Sequence, residues 1–278
     1  MNLHPGATLE HEAHQPRARG QVRVSSKLRA GASVIDGLSM AGSMKALFPR
    51  PAGPALDVML INTAGGVTGG DRFFVEAEAG PHTTVTLTTQ ACERAYAARG
   101  KTAGRIETHL SVAAGGRVNW LPQETILYDK LNFERRLAVD LAADARFLMV
   151  EPLIFGRVAM GERLRAGHFR DRVEIRRAGR PVYLDGVALS GNIDAQMTRA
   201  STMAGHRALA ALVYAGADAE AWVDRLRGLM PATGGVSLQS PDLLTCRIVA
   251  PDAFALRRAL VPAIRALNDN DIPRPWML

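Results

Sequence analysis

The sequence predicts a mainly β fold, a β-solenoid or sandwich-like arrangement of many short strands, with two helices towards the C-terminus. Between about residue 22 and residue 180, short β-branched and apolar stretches recur at intervals of roughly ten residues, separated by glycine or proline. The clearest, residues 83–89, alternates threonine with Val85 and Leu87, as a half-buried strand does. In the last third of the chain, apolar residues also recur at helical spacing.

The predicted strands follow one another along the chain. Two of them are expected to form a hairpin through Gly179, because glycine readily adopts the positive φ angles of tight turns. The first two flank a glycine-rich run at residues 62–71. We predict strands at 58–61, 73–77, 83–89, 105–112, 117–121, 133–139, 146–150, 169–177, 181–184, 208–214 and 244–249.

Two helices are predicted near the C-terminus. Asp218 is placed to cap the first and Asp252 the second, because a carboxylate accepts hydrogen bonds from the free N–H groups of a first helical turn. Pro262 should kink the second helix. Each helix has an apolar stripe expected to pack on the sheet: Trp222, Val223, Leu226 and Met230 in the first, and Leu256, Leu260, Ile264 and Leu267 in the second.

The domain organisation is read from composition. Residues 1–20 are polar and predict a mobile tail, and residues 21–278 predict a single domain, since no linker divides them. The tail carries His4, His11 and His14, which either bind a transition metal weakly or are simply solvated.

Charge and cysteine usage limit the class of protein. The net charge is +7, and only four of the 34 basic residues are lysine. Residues 157–180 carry eight arginines, which form either a solvated hairpin face or a surface for an acidic protein. No nucleic-acid motif accompanies them, and no apolar run is long enough to span a membrane. Two distant cysteines and the absence of a secretory signal predict a cytoplasmic protein.

The glycine-rich run is the most informative segment. It reads Asn62-Thr63-Ala64-Gly65-Gly66-Val67-Thr68-Gly69-Gly70-Asp71. The spacing from Gly65 to Gly70 matches a phosphate-binding P-loop, but Asp71 stands where the lysine should be, and a strand-like stretch follows. A tight hairpin connection is the simpler interpretation; a nucleotide-binding enzyme that uses the Gly65–Gly70 loop remains a minor alternative.

A search for catalytic motifs finds no HExxH, CxxC or GxSxG pattern. Cys92 would need a spatially adjacent histidine to act as a nucleophile. Acidic residues beside glycine or apolar segments are the more unusual feature. Such a carboxylate is either buried with a partner, for which Arg157 is the nearby candidate for Glu151, or lines a passage for a divalent cation.

The sequence resembles the UreD (UreH) family of urease accessory proteins. The glycine-rich run carries the resemblance, and the ordered motifs that follow it extend the match from about residue 20 to the C-terminus. They are Thr88-Thr89-Gln90, Leu121-Pro122-Gln123-Glu124-Thr125-Ile126, Glu151-Pro152-Leu153-Ile154-Phe155-Gly156-Arg157, Ala159-Met160-Gly161-Glu162 and Pro273-Arg274-Pro275-Trp276. Cys92, where a small residue is expected, and Tyr128-Asp129, where Phe-Asp is more usual, are mild departures.

The resemblance implies a scaffold that is not an enzyme. Proteins of this family bind apo-urease together with UreF and the GTPase UreG, and assist delivery of nickel to the urease active site. No tightly bound cofactor is implied, only nickel in transit through a passage. We hypothesise that Asp71, Glu124, Glu151 and Glu162 guide the ion, because they lie in the matched motifs and weak sequential sites would not trap it. A structural adaptor that transfers no metal is the alternative.

Overall fold

A computed structural model describes residues 16–50 and 53–277 of the chain. The predicted tail falls largely outside them: residues 1–15, with His4, His11 and His14, are not described. The first strand begins at Arg19, so the last residues assigned to the tail already belong to a sheet. The prediction of a mainly β fold is confirmed, because most described residues lie in two sheets.

One sheet has seven strands. Five neighbouring strands in it run parallel, and antiparallel strands flank them at both edges. In order across the sheet, the strands are β2 (Ala32–Gly42), β1 (Arg19–Arg29), β5 (Arg72–Ala79), β8 (Gly104–Val112), β11 (Asn132–Leu141), β13 (His168–Arg177) and β14 (Arg180–Ser190).

The other sheet has ten strands. Eight form one continuous order, and two short strands pair beside it. The continuous order is β16 (Gly234–Ser240), β17 (Leu243–Ala250), β15 (Ala208–Ala215), β12 (Arg146–Phe155), β9 (Arg117–Leu121), β6 (Thr84–Thr89), β4 (Leu56–Asn62) and β3 (Met44–Leu47); the short strands are β7 (Glu93–Ala95) and β10 (Thr125–Leu127).

The chain coils between the two sheets. It passes from β4 to β5, from β6 to β8, from β9 to β11 and from β12 to β13, and successive coils pair in parallel within each sheet. This is the solenoid arrangement that the regular spacing of strands predicted. The interpretation of residues 62–71 as a tight hairpin was wrong, because β4 and β5 belong to different sheets and do not pair with each other.

The apolar residues form two layers. One fills the interior between the sheets, where Phe133, Phe147, Phe155 and Phe169 are almost fully buried. The other covers the opposite face of the ten-stranded sheet, beneath the C-terminal helix. Strand β12 serves both, since successive side chains of a strand point to opposite faces.

The helical prediction was partly correct. The helices are α1 (Ile193–Met197), α2 (Val223–Arg227) and α3 (Ala253–Leu267), and α1 was not predicted. Asp252 caps α3 as predicted, since its Oδ1 accepts a hydrogen bond from the Ala255 N–H at 2.8 Å. The predicted capping role of Asp218 was wrong, because its carboxylate accepts from the Tyr214 hydroxyl and the Trp222 indole instead, and α2 has no side-chain cap.

The apolar stripe of α3 is buried as predicted, and Pro262 lies inside the helix. Within the described part of the chain, none of the helices has the length and apolar character needed to cross a bilayer.

Candidate functional site

The motifs that carry the family resemblance meet on a short third face of the solenoid. This face contains the two short strands β7 and β10, which pair beside the continuous order of the ten-stranded sheet. Val67 pairs with Ala95 of β7, Ala95 aligns with Leu127 of β10, and Leu127 aligns with Phe155 at the end of β12. All four side chains are buried. Segments some thirty residues apart in sequence therefore become neighbours, because in-register pairing stacks equivalent corners.

The glycines of the run permit close contacts between chain segments. A Cβ on Gly66 would lie 2.4 Å from the Tyr96 ring and 2.6 Å from the Arg94 carbonyl oxygen, and the φ angle there is +152°. A Cβ on Gly69 would lie 2.7 Å from the Thr102 carbonyl oxygen. Bare backbone is needed at both positions for the run to pack against the next coil, so the glycines have a structural reason that involves no phosphate.

Asp71 anchors the first strand to the glycine-rich run. Its carboxylate is buried and accepts two backbone hydrogen bonds, from Ala18 N–H to Oδ1 and from Thr68 N–H to Oδ2, both at 2.8 Å. Both oxygens therefore already have donors. The structure gives Asp71 a local anchoring contact at the corner of the first coil.

Glu124 lies on the side of the third face that contacts α3. Arg257 of α3 donates through Nη1 to Oε1 at 3.1 Å, and the Cys92 thiol donates to Oε2 at 3.3 Å. Burial, followed by the charge of Glu124, raises the pKa of Cys92 to about 11. The thiol therefore stays protonated at neutral pH, which argues against the nucleophilic role considered for Cys92. The guanidinium also lies over the ring of Trp276, 5.1 Å from its centroid, so Glu124 helps to join the C-terminus to the third face.

Glu151 points into the interior between the two sheets. The Trp120 indole donates to its Oε1 at 2.6 Å, and Nη1 of Arg135 lies 2.5 Å from its Oε2. Arg135 comes from β11 in the facing sheet and also binds Asp171, with Nη2 to Oδ2 at 2.6 Å. The expected partner Arg157 is therefore not the one that the fold supplies.

The interior cluster of Glu151, Asp171 and Arg135 has more negative than positive charge. Among the described residues, neither carboxylate has a second ion-pair partner. Burial raises the pKa of Glu151, whereas Arg135 acts in the opposite direction. Burial on its own would lower the pKa of Arg135, but Asp171 and Glu151 raise it above its ordinary value. One guanidinium thus serves two buried carboxylates, and the cluster can accept a further proton or cation.

Glu162 lies at the outer end of the third face, after β12. Nε of Arg157 donates to its Oε2 at 2.8 Å, and the Asp129 N–H donates to its Oε1 at 3.3 Å. Burial would raise the pKa of Glu162, but these donors lower it overall. Arg157, which was expected to pair with Glu151, therefore binds Glu162 instead. Its guanidinium also covers the ring of Tyr128, 4.6 Å from the ring centroid.

A cavity of about 230 Å³ lies behind the third face and opens beside the exposed Ala91. Gly65, Gly66, Cys92 and Glu93 line it from the third face, and Glu151 and Arg135 line it deeper in the interior. Of the four carboxylates predicted from sequence, Glu151 lines this cavity, while the other three make the contacts described above. Within residues 16–50 and 53–277, no group of three histidine, cysteine or acidic side chains is arranged to hold a metal ion.

Three residues of the site, Glu93, Arg135 and Asp171, were not among the site residues predicted from the sequence. Glu93 lines the cavity and its pKa is raised mainly by burial, although Asn62 donates to it and lowers the pKa. Its position three residues after the Thr88-Thr89-Gln90 motif was a usable signal. Arg135 and Asp171 lie in strands in which most other interior residues are apolar. A charged residue at an interior position interrupts the alternation of apolar and polar residues, and this interruption was the available signal.

Comparison with known proteins agrees with the resemblance. Residues 18–277 match the family described as UreD urease accessory protein. The chain is similar to "Urease accessory protein UreD" of Ruegeria pomeroyi, with 49% identity over 92% of this chain and 100% of the relative. It is 48% identical to the protein of that name from Roseobacter denitrificans, over 95% of this chain and 96% of the relative. The corresponding figures for Rhizobium rhizogenes are 42%, 94% and 96%. The chain therefore belongs to the UreD family of urease accessory proteins.

Proposed function

We propose that this chain is a cytoplasmic scaffold, not an enzyme, that binds apo-urease together with UreF and the GTPase UreG and assists nickel delivery to the urease active site. The observation that carries the metal-delivery part is the cavity behind the third face, which Glu93 and Glu151 both line. At its deep end Glu151 pairs with Arg135, whose guanidinium is shared with the buried Asp171. Carboxylate oxygens are among the ligands that divalent cations prefer, so Glu93 and Glu151 offer contact points for such an ion along the cavity.

The cavity favours passage over storage. A tight nickel site would need several ligands around one point, and among the described residues no three potential ligands cluster in that way. Glu93 near the third face and Glu151 in the interior instead offer single carboxylates along the cavity. Separate weak sites let an ion move on, which a carrier requires. Glu151 is thus the strongest of the four proposed guiding carboxylates; Asp71, Glu124 and Glu162 would shape the corners around it.

The experiment is complementation of a urease-expressing strain that lacks this chain. Alanine variants at Asp71, Glu124, Glu151 and Glu162, and at Glu93, are compared with the exposed control Glu220→Ala. We expect Glu151→Ala and Glu93→Ala to reduce the nickel content of purified urease while the variant still co-purifies with the urease subunits. Unchanged nickel content for both would exclude the proposed route through this cavity.

Blocking the cavity distinguishes a metal carrier from an adaptor that transfers no metal. Ala91 is exposed and lines the cavity, so Ala91→Trp places bulk at its opening, and Ala143→Trp is the matched control on an exposed turn away from the cavity. A metal carrier predicts that only Ala91→Trp lowers urease activation. An adaptor predicts normal activation by both variants, provided that both still bind the urease subunits.

A further inference from the structure

The outer face of the seven-stranded sheet carries a cluster of arginines on its parallel strands. They alternate along their strands with positions that face the interior, so the arginine side chains point away from it. We call this cluster the arginine surface; it consists of Arg19, Arg72, Arg105, Arg136, Arg170 and Arg172.

Strand register brings like charges side by side. Arg72 aligns with Arg19 on one neighbouring strand and with Arg105 on the other. Two residues further along the strands, Arg136 of β11 aligns with Arg172 of β13. Like charges at directly opposed positions destabilise a sheet. Arg72 therefore has a like-charged neighbour on each side, an arrangement that works against folding and that a ligand of opposite charge would offset.

Ion pairs with neighbouring glutamates neutralise only part of the positive charge of the arginine surface. Glu134 pairs with Arg105 at 2.7 Å, and Arg172 reaches Glu174 at 3.3 Å. Within the part of the chain that the structure describes, Arg19, Arg72 and Arg170 form no ion pair, so guanidinium groups remain available to a partner.

Two adjoining hollows make the surface continuous. One, of about 430 Å³, is lined by Arg19, Arg72 and Arg105, and has Phe74 in its wall. The other, of about 310 Å³, is lined by Arg105, Glu134, Arg136, Arg170 and Arg172. Arg105 and Glu107 line both hollows, so they lie where the hollows meet.

We propose that the arginine surface docks an acidic protein surface. Planar guanidinium groups bind carboxylates through two parallel hydrogen bonds, so a row of arginines suits a carboxylate-bearing face. Glu107 and Glu134 lie among the arginines, and a nucleic-acid backbone of uniform negative charge would meet them with repulsion. An acidic protein face can place its own cations opposite these glutamates. This inference deepens the scaffold role proposed above and rests on it.

The first test measures binding of the full chain to fluorescein-labelled poly-L-glutamate by fluorescence anisotropy at several salt concentrations. We expect binding that weakens as salt rises. Changing Arg72, Arg136 and Arg170 together to Gln should weaken it about tenfold or more, because three charge-assisted contacts are lost. The matched control changes three exposed arginines elsewhere, Arg199, Arg225 and Arg258, to Gln and alters net charge equally. Equal losses in both triple variants would overturn the proposal.

A second variant is expected to strengthen binding, which a folding defect would not do. Glu107 lies between the two hollows, so Glu107→Gln should strengthen poly-L-glutamate binding by removing repulsion. Unchanged or weaker binding would count against the surface. Single-stranded RNA of equal charge that binds the wild-type chain more tightly than the peptide does, and loses this advantage in the triple variant, would assign the surface to nucleic acid instead.

Co-purification with apo-urease subunits separates this inference from the function on which it rests. If wild-type chain does not co-purify with them, the scaffold function fails, whereas the peptide measurement still decides the chemistry of the surface. If wild-type and both triple variants co-purify equally, the scaffold function stands and the docking role of the arginine surface fails. Loss of co-purification in the Arg72, Arg136 and Arg170 variant alone supports both.

Discussion

Arg135 and Glu151 face each other across the interior of the solenoid, with Nη1 and Oε2 2.5 Å apart. They come from different sheets, and both side chains are about nine-tenths buried. Asp171 holds the same guanidinium from the neighbouring strand. This contact joins the two sheets at the level of the cavity and places a carboxylate in its wall.

Replacing Arg135 should destabilise the protein strongly. Arg135→Ala leaves Glu151 and Asp171 buried without their partner, and the expected loss in the free energy of unfolding is about 3–5 kcal/mol. Urea denaturation measures it. Arg23→Ala, which breaks the exposed pair with Glu76, is the control, with an expected loss below about 1 kcal/mol. Similar losses for both variants would mean that the interior ion pairs contribute no more than an exposed one.

Replacing Asp71 should act through folding. Asp71→Asn retains one acceptor oxygen for two backbone donors, so one N–H loses its partner, at a cost of about 1–3 kcal/mol. Urease activation in the complementation strain should fall in proportion to the amount of folded variant. The exposed carboxylate variant Asp140→Asn should leave both quantities unchanged. Loss of activation at normal stability would instead indicate that Asp71 acts on the ion directly.

Adding one methyl group at Gly66 should disrupt the third face. Gly66→Ala places a Cβ 2.4 Å from the Tyr96 ring, at a positive φ angle, and we expect a loss of about 1–3 kcal/mol. Thermal and urea unfolding both measure the change. Gly235→Ala, where an added Cβ meets no atom within 4 Å, should change stability by less than about 1 kcal/mol. Tolerance of Ala at Gly66 would show that the contact with the Tyr96 ring relaxes easily.

The pH dependence of stability should reveal the buried carboxylate of Asp194. The hydrogen bonds from Arg207 are the main cause of its lowered pKa, and Nη2 donates to Oδ2 at 3.0 Å. Because the pKa in the folded state lies below the unfolded value of 3.8, its stabilisation is complete above that pH and is lost as pH falls through the folded value.

Asp194→Asn should therefore cost about 1.5–3 kcal/mol at neutral pH, and the gap from wild type should narrow in acid. Denaturant titrations at several pH values measure this gap. Asp224→Asn, at an almost fully exposed side chain, should give no gap at any pH. A gap for Asp194→Asn that stays constant down to pH values well below 3.8 would contradict the assignment.

Several strands and one helix cap could be predicted because their causes are local. Alternating threonine and apolar residues place β6, and Asp252 alone supplies the acceptor that begins α3. Strands β2 and β16 escaped prediction because they are largely exposed edge strands with weak apolar alternation. Aspartate commonly caps helices, but the carboxylate oxygens of Asp218 accept hydrogen bonds from the side chains of Tyr214 and Trp222 instead.

The sequence by itself determined a β-rich coil with glycine at a corner, acidic residues in its motifs and an excess of arginine. Tertiary structure alone decided which charges meet. Arg135, not Arg157, reaches Glu151, and Arg19, Arg72 and Arg105 align on three neighbouring strands. The physical reason is that parallel pairing joins segments far apart in the chain, so the neighbours of a side chain depend on the register of whole coils and not on its own sequence context.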